Sequence, residues 1–360
     1  MEKRRQTLDV RLPDARVFYG VILAYALEAL KFNQLTDNFD ADRYNIDGLD
    51  HANDFDVAKR ARYFDWFMRT HERLFAAYSM LADETSRRLY LHLIAFKLAG
   101  HLSVRLPVTY PDRPEDHERY EKTATWTPSK LPASKTRRQL RHYDFTMDGR
   151  HYVIDCTGLE YYLLRGQYFF ARDGVSIAPA AGDHVIDAGA LMGETALVFS
   201  NAVGPSGHVW SFDPVADHLE MLDHNIAQFP IRNVTSMPFG VSDRDVAGPP
   251  IVLNRFAAGF QSQHHMVPLR RIDGLVEDGT ISRIDFLKLD VEGAELAALR
   301  GAQQSIARFR PKLAVSLYHQ PQDFYAIVLF IKQHFPFYAC HIDHYTIHGE
   351  ETVLYCRATE

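Results

Sequence analysis

Four residues of this 360-residue chain sit where apolar runs end, the setting in which side chains most often meet a ligand: Asp187, Asp213, Asp290 and His319. The first run, Val185-Ile186-Asp187, opens into Ala188-Gly189-Ala190-Leu191-Met192-Gly193-Glu194-Thr195. A short apolar stretch, a glycine turn and a helix-like pattern make the first unit of a nucleotide-binding α/β sheet. Glycine suits such a turn because a ligand approaches the backbone closely and φ can be positive there. The acid at Asp187 stands where a dinucleotide fingerprint has its first glycine, so the spacing departs from Gly-x-Gly-x-x-Gly.

In a parallel sheet, ligands collect at the carboxyl ends of the strands, near the reversal of strand order. Gly189, Ala190 and Gly193 form the first turn, and the amides of Glu194 and Thr195 open a helix able to meet an anionic carboxylate. Asp213 follows about 25 residues after the turn, where a ribose diol needs a bidentate acceptor; it also suits an N-cap. Gly240-Val241-Ser242 can hold a base by backbone and hydroxyl groups, although Ser242-Asp243 also reads as an everyday turn. Asp290, Glu292 and Glu295 crowd one strand end and repel each other unless donors or a cation satisfy them. Asp290 suits a cationic group of a bound ligand, while Glu292 and Glu295 also suit a helix N-terminus. His319 can titrate near neutrality and take a proton from an acceptor hydroxyl, or be a hydrogen-bonded loop histidine.

The acid-x-Gly-x-x-x-Gly form of Asp187 to Gly193 resembles class I S-adenosylmethionine (SAM) methyltransferases. With Phe212-Asp213-Pro214, Lys288-Leu289-Asp290-Val291-Glu292-Gly293-Ala294-Glu295, Tyr318-His319-x-Pro321-x-Asp323 and Glu351-Thr352-Val353-Leu354-Tyr355, the chain resembles the FkbM family of methyltransferases. Leu81-Ala82-Asp83-Glu84-x-Ser86-Arg87 and Gly166-Gln167-Tyr168-Phe169 are similar to segments preceding the catalytic core of longer members. Asp213 stands where many members have glutamate, and Leu191-Met192 fills a turn that often carries smaller or aromatic residues. The resemblance spans residues 75–358. It implies SAM-dependent O-methylation of a hydroxyl on a sugar, glycan or glycosylated natural product, with S-adenosylhomocysteine as by-product.

On this reading Tyr168, Asp187, Gly189, Ala190, Gly193, Glu194, Thr195, Asp213, Gly240, Val241, Ser242, Asp290 and Glu292 form the cofactor-binding set. His319 is the base, with Asp290 the second catalytic residue and Asp323, or an acid near Asp290, a candidate to orient it. A variant has Asp290 and His319 holding a divalent ion that lowers the hydroxyl pKa. A SAM-fold module without catalysis and an NAD-dependent oxidoreductase are the competing classes.

Repeated strand–helix units from His184 onward must position these residues, predicting a mostly parallel, Rossmann-like sheet with helices on both faces. Strands are expected at His184–Asp187, His208–Phe212, Val234–Val241, Ile284–Asp290 and Leu313–His319. Helices are expected from Glu194 to Ala202, Ala216 to Phe229, Ala294 to Phe309 and Asp323 to Phe335. Tyr338–Ile342 and Thr352–Arg357 have no helix between them and should close the sheet as an antiparallel hairpin. A leading hairpin is expected around Asp148-Gly149. Three regions follow: a helical one over residues 1–109, a proline-containing linker over 110–140 and a methyltransferase domain over 141–360.

Aromatics from Tyr63 to Tyr78 recur on one helix face and read as core. A second helix runs from Asp83 to Gly100, with acids at its start and glycine at its end. The helices could serve as acceptor lid or homodimer interface, and the loop Phe256–His265, with His264-His265, could close over the acceptor. A formal charge of -6 argues against a general nucleic-acid binder. The apolar run Val17–Leu27 is too short to span a bilayer. Three cysteines, Cys156, Cys340 and Cys356, cannot all pair and form no metal motif, which suits a reduced, cytoplasmic compartment.

Overall fold

The computed structural model describes residues 12–31, 35, 38, 57–108, 114–131, 140–249 and 267–359. The Phe256–His265 loop, including His264-His265, lies outside the described residues. Contacts divide the chain into two compact units, residues 1–109 with 317–354, and residues 110–316 with 355–360.

The first unit is built on helices α1 (Ala15–Leu30), α2 (Val57–Ser79) and α3 (Glu84–Ala99). Asp14 caps α1 by accepting the Val17 amide at 2.8 Å. Phe18, Ile22 and Ala26 recur every four residues and are buried, whereas Val17 and Leu27 at the ends of the apolar run are exposed. The run is therefore an amphipathic stripe. Among the described residues no helix is long and apolar enough to cross a membrane.

Phe18 meets Phe67, Phe75 and Tyr78 at ring separations of 6.5, 5.7 and 5.4 Å, so the aromatic periodicity of α2 does build core. Asp83 caps α3 through the Ser86 amide, and Gly100 ends it at φ 81°. The Ser86 hydroxyl accepts the Ile342 amide, tying α3 to the strand that contains Ile342.

The second unit begins with α4 (Pro114–Thr123) and strand β1 (Trp126–Pro128). This part of the proline-containing stretch is thus structured, with a physical reason. Pro114 starts a helix, where a missing N–H is harmless, and Pro128 ends a strand at a sheet edge. β1 pairs antiparallel with β2 (Arg141–Met147), which pairs antiparallel with β3 (Arg150–Cys156). Asp148 and Gly149, at φ 51° and 74°, make the expected tight turn. A short helix, α5 (Glu160–Leu163), leads to a small hairpin of β4 (Phe170–Arg172) and β5 (Val175–Ile177).

The chain then alternates through β6 (His184–Ala188), α6 (Glu194–Val203), β7 (His208–Phe212), α7 (Ala216–Ile226) and β8 (Val234–Met237). It continues through β9 (Gly240–Val241), β10 (Leu269–Arg270), α8 (Ile272–Glu277), β11 (Phe286–Leu289), α9 (Glu295–Arg300), α10 (Gln303–Phe309) and β12 (Lys312–Ser316). Pairings β8–β7, β7–β6, β6–β11 and β11–β12 are all parallel. Residues 323–334 form α11, followed by β13 (Tyr338–His344) and β14 (Thr352–Ala358). The strand order of the seven-stranded sheet is β13-β14-β12-β11-β6-β7-β8. Chain order therefore reverses between β6 and β11, which is the switch point where ligands bind in such sheets.

Two expected elements are interrupted. Val234–Val241 is not one strand: Pro238 lacks the N–H a ladder needs, so β8 stops before it and β9 pairs instead with β10. Ala294–Phe309 is not one helix: it breaks after Arg300 into α9 and α10. There the Ser242 carbonyl approaches Gly301 so closely that a β-carbon would lie 1.9 Å from it. The three cysteines are buried and none forms a disulfide.

Candidate functional site

The ends of β6, β7 and β11 are stitched together by backbone. The Phe212 carbonyl accepts the amides of Gly189 and Ala190 at 2.9 and 3.0 Å, and the Ala188 carbonyl accepts the Asp290 amide at 3.1 Å. Gly189 has φ 83°, and a β-carbon on it would stand 1.8 Å from the Asp290 carbonyl oxygen. Only glycine allows the turns after β6 and β11 to approach this closely. Gly193, at φ 99°, supplies no capping side chain to the ten-residue helix α6. The first amides of that helix have no intrahelical acceptor.

Asp187 is fully buried, and its oxygens accept the Thr195 hydroxyl at 3.0 and 2.8 Å and approach Ser211 Oγ at 3.4 Å. Lys288 Nζ lies 3.1 Å from Asp187 Oδ1 and donates to the Gly189 carbonyl at 2.7 Å. The same ammonium sits 5.4 Å from the centre of the Tyr168 ring. Asp187 thus fixes the first turn from beneath, through Thr195 and Lys288.

Tyr168 is buried with a left-handed backbone, φ 69°. Its amide donates to the Tyr355 hydroxyl and its own hydroxyl donates to Asp290 Oδ2, both at 2.9 Å. The side chain that the sequence marked only by family resemblance therefore holds the carboxylate at the end of β11.

Asp213 accepts the Leu191 amide at 3.2 Å and the Val215 amide at 2.9 Å, and its two oxygens lie 3.1 and 3.2 Å from His218 Nδ1. A carboxylate has about four acceptor positions; the Leu191 and Val215 amides and His218 take three, which leaves one for a hydroxyl of a diol. A β-carbon on Gly240 would lie 3.7 Å from Pro214 Cγ, which sets β9 beside Asp213. Val241 and Ser242 continue from it, and the Ser242 amide donates to the Arg270 carbonyl at 3.1 Å.

Glu292 is exposed at φ 55°, and Glu295 Oε1 accepts the Val291 amide at 2.8 Å, capping the turn before its own helix. Burial pushes the Glu194 carboxyl up to about 7; its own backbone N–H and the charges of His218 and Lys288 oppose the rise, and Asp187 adds to it.

His319 belongs to the first unit, three residues beyond the end of β12, with the Tyr318 ring centred 4.2 Å from its imidazole. Asp323, the first residue of α11, turns back to accept the Gln320 amide at 2.9 Å.

Two further residues belong to the turn cluster. Lys288 carried a signal, a lone charge inside the apolar run Phe286-Leu287-Lys288-Leu289. His218 carried none, because its role depends on one helical turn of α7 returning it to Asp213.

The model for the methyltransferase FkbM domain matches residues 181–336. No curated protein matches the chain. Among solved structures, methyltransferase FkbM from Methylobacillus flagellatus KT superposes over 81% of this chain and 59% of its own, with 19% identity and a TM-score of 0.52. The present chain thus spans about three fifths of that relative, and the two share a fold. Fibrillarin from Aeropyrum pernix, in complex with natively bound S-adenosyl-L-methionine, aligns over 65% of this chain and 98% of its own at 12% identity and TM-score 0.35. A SAM dependent methyltransferase from Aquifex aeolicus aligns over 51% and 86% at 12% identity and TM-score 0.33. Residues 181–336 of this chain thus match the FkbM methyltransferase domain.

Proposed function

We propose that the protein transfers a methyl group from SAM to a hydroxyl of a sugar or sugar-bearing acceptor. The observation that carries the reading is the contact of Gly189 with the Asp290 carbonyl, a cradle that any β-carbon would fill. It lies at the switch point of the sheet, with Asp213 just past the end of the next strand. When bound, SAM supplies an electrophilic methyl on a sulfonium.

The chain's own residues divide the remaining work. The first amides of α6, at Glu194 and Thr195, meet the amino-acid carboxylate, and Asp290, held by Tyr168, meets the ammonium. Asp213 accepts the ribose hydroxyls, and Gly240, Val241 and Ser242 border the base. Asp187 and Lys288 hold the turn that presents Gly189 and Ala190. Alignment by these groups supplies much of the acceleration of an in-line displacement.

An imidazole nitrogen of His319 takes the acceptor's hydroxyl proton as the oxygen–carbon bond forms. The proton then rests on His319, and Gly189, Asp213 and Asp290 would hold the neutral S-adenosylhomocysteine that remains. General-base assistance of this kind is worth about 10²–10⁴-fold. His319→Ala should therefore lose methyl transfer while keeping SAM affinity by calorimetry; full turnover in that variant removes the base assignment. Activity unchanged after exhaustive chelation would remove a divalent ion from the reaction. Tight SAM binding with no transfer to any hydroxyl acceptor would leave a binding module, and fluorescence titration with NADH tests the oxidoreductase class.

A further inference from the structure

Within the first unit, α2, α3 and the segments around Tyr318 and Gly349 line a partly open cavity of about 170 Å³. That is below the roughly 300–1,000 Å³ of pockets for drug-sized molecules and near the roughly 150 Å³ that takes a benzene ring. The space suits one six-membered ring. Among the described residues its wall carries three cations, Lys59, Arg60 and Lys97, and one carboxylate, Glu350. Two tyrosines, Tyr63 and Tyr318, supply flat apolar faces.

Several contacts fix these groups. Arg60 Nη1 donates to the Ala99 carbonyl at 2.7 Å. The Lys97 ammonium lies 4.6 Å from the Phe324 ring centre and 5.9 Å from that of Tyr63. Burial draws Lys97 down to about 8, Glu350 and Asp323 pull it back up, and Lys59 adds repulsion. An anion beside the ammonium would offset the burial that draws it down. The remaining polar walls, His101 and His348, pack edge to face on each other at 5.8 Å. Tyr318, on the cavity wall, also touches His319, the base of the proposed transfer.

We propose that this cavity binds a single anionic sugar ring, with a carboxylate or phosphate held by Lys59, Arg60 and Lys97 and the ring against Tyr63 and Tyr318. Calling that ligand the methyl acceptor rests on the methyl-transfer reading; the binding itself does not.

The test titrates the full chain, without SAM, with glucuronate, glucose 6-phosphate, glucose and inorganic phosphate. Both anionic sugars, or one of them, should bind at least about tenfold more tightly than glucose, the worth of one charged hydrogen bond. The two acids separate carboxylate from phosphate as the preferred group. Lys97→Gln and, independently, Lys59→Gln should each weaken that binding by about tenfold with unchanged circular dichroism. Equal affinity for glucose removes the cationic anchor, and equal affinity for inorganic phosphate removes the ring. No saturable binding of either anionic sugar overturns the proposal outright. Binding that survives while no methyl transfer is found supports the cavity and refutes only the activity.

Discussion

The two units bury lysines to opposite ends. In the sheet unit, Lys288 is buried against the buried Asp187 and donates to the Gly189 carbonyl, so its charge is matched atom by atom. In the helical unit, Lys97 is partly buried over aromatic faces, and burial draws it down to about 8. The first arrangement spends charge on holding a turn; the second leaves a cation poised for something else. A buried ion contributes to the fold only as far as its partners are in place.

The largest effect is expected at the turn that Lys288 supports. Gly189→Val puts a branched side chain where even one carbon would stand 1.8 Å from the Asp290 carbonyl. Either the turn moves or the backbone leaves φ 83°, and both destroy the cradle. SAM affinity by calorimetry should fall by at least about 100-fold, a loss of roughly 2.7 kcal/mol or more. Near-normal affinity would mean the cofactor is held elsewhere.

Next come the lysines themselves. Lys288→Met leaves Asp187 buried with no cation and should cost about 3–5 kcal/mol in urea unfolding. Asp187→Asn in the same chain should recover part of that loss. Lys97→Met should move stability the other way, by about 1–3 kcal/mol at pH 7, because removing the cation relieves a penalised charge. If both substitutions destabilise equally, the contrast between the units is wrong.

The same contrast explains which parts of the molecule were legible. The turn cluster is written in consecutive residues: Val185 to Thr195 carries strand, acid, glycines and helix start within one window. Asp148-Gly149 announced its hairpin by the same rule. Asp173-Gly174, at φ 51° and 78°, uses that rule again between β4 and β5, yet three-residue strands are too short to show an alternating pattern. Pro238 was visible inside Val234–Val241 and breaks it for the reason any proline breaks a ladder. Tyr168 came only from family resemblance, because its contact with Asp290 spans 122 positions. The cavity was invisible for a stronger version of that reason: Lys59, Lys97 and Glu350 have no local relation. Only the fold gathers their charges.

The smallest effect is a pair of opposed pH slopes, one from each unit. His344 in β13 is fully buried; its ring nitrogens lie 2.8 Å from Thr352 Oγ1 and 2.7 Å from the His348 carbonyl oxygen. Burial draws it down to about 3. Its folded value is below the ordinary 6.5, so its contribution is complete above about pH 6.5 and is lost as pH falls towards 3. Glu194 behaves in reverse. Its folded value, raised to about 7 by burial, exceeds the ordinary 4.5, so stability present below about pH 4.5 is lost as pH rises towards 7. Each slope is about 1.4 kcal/mol per pH unit, and between about pH 4.5 and 6.5 they oppose one another. Relative to the native chain, Glu194→Gln should therefore add a rising slope over that window, and His344→Gln a falling one. Urea titrations at half-unit steps read both changes, and parallel curves for all three chains would show that neither group is buried as described.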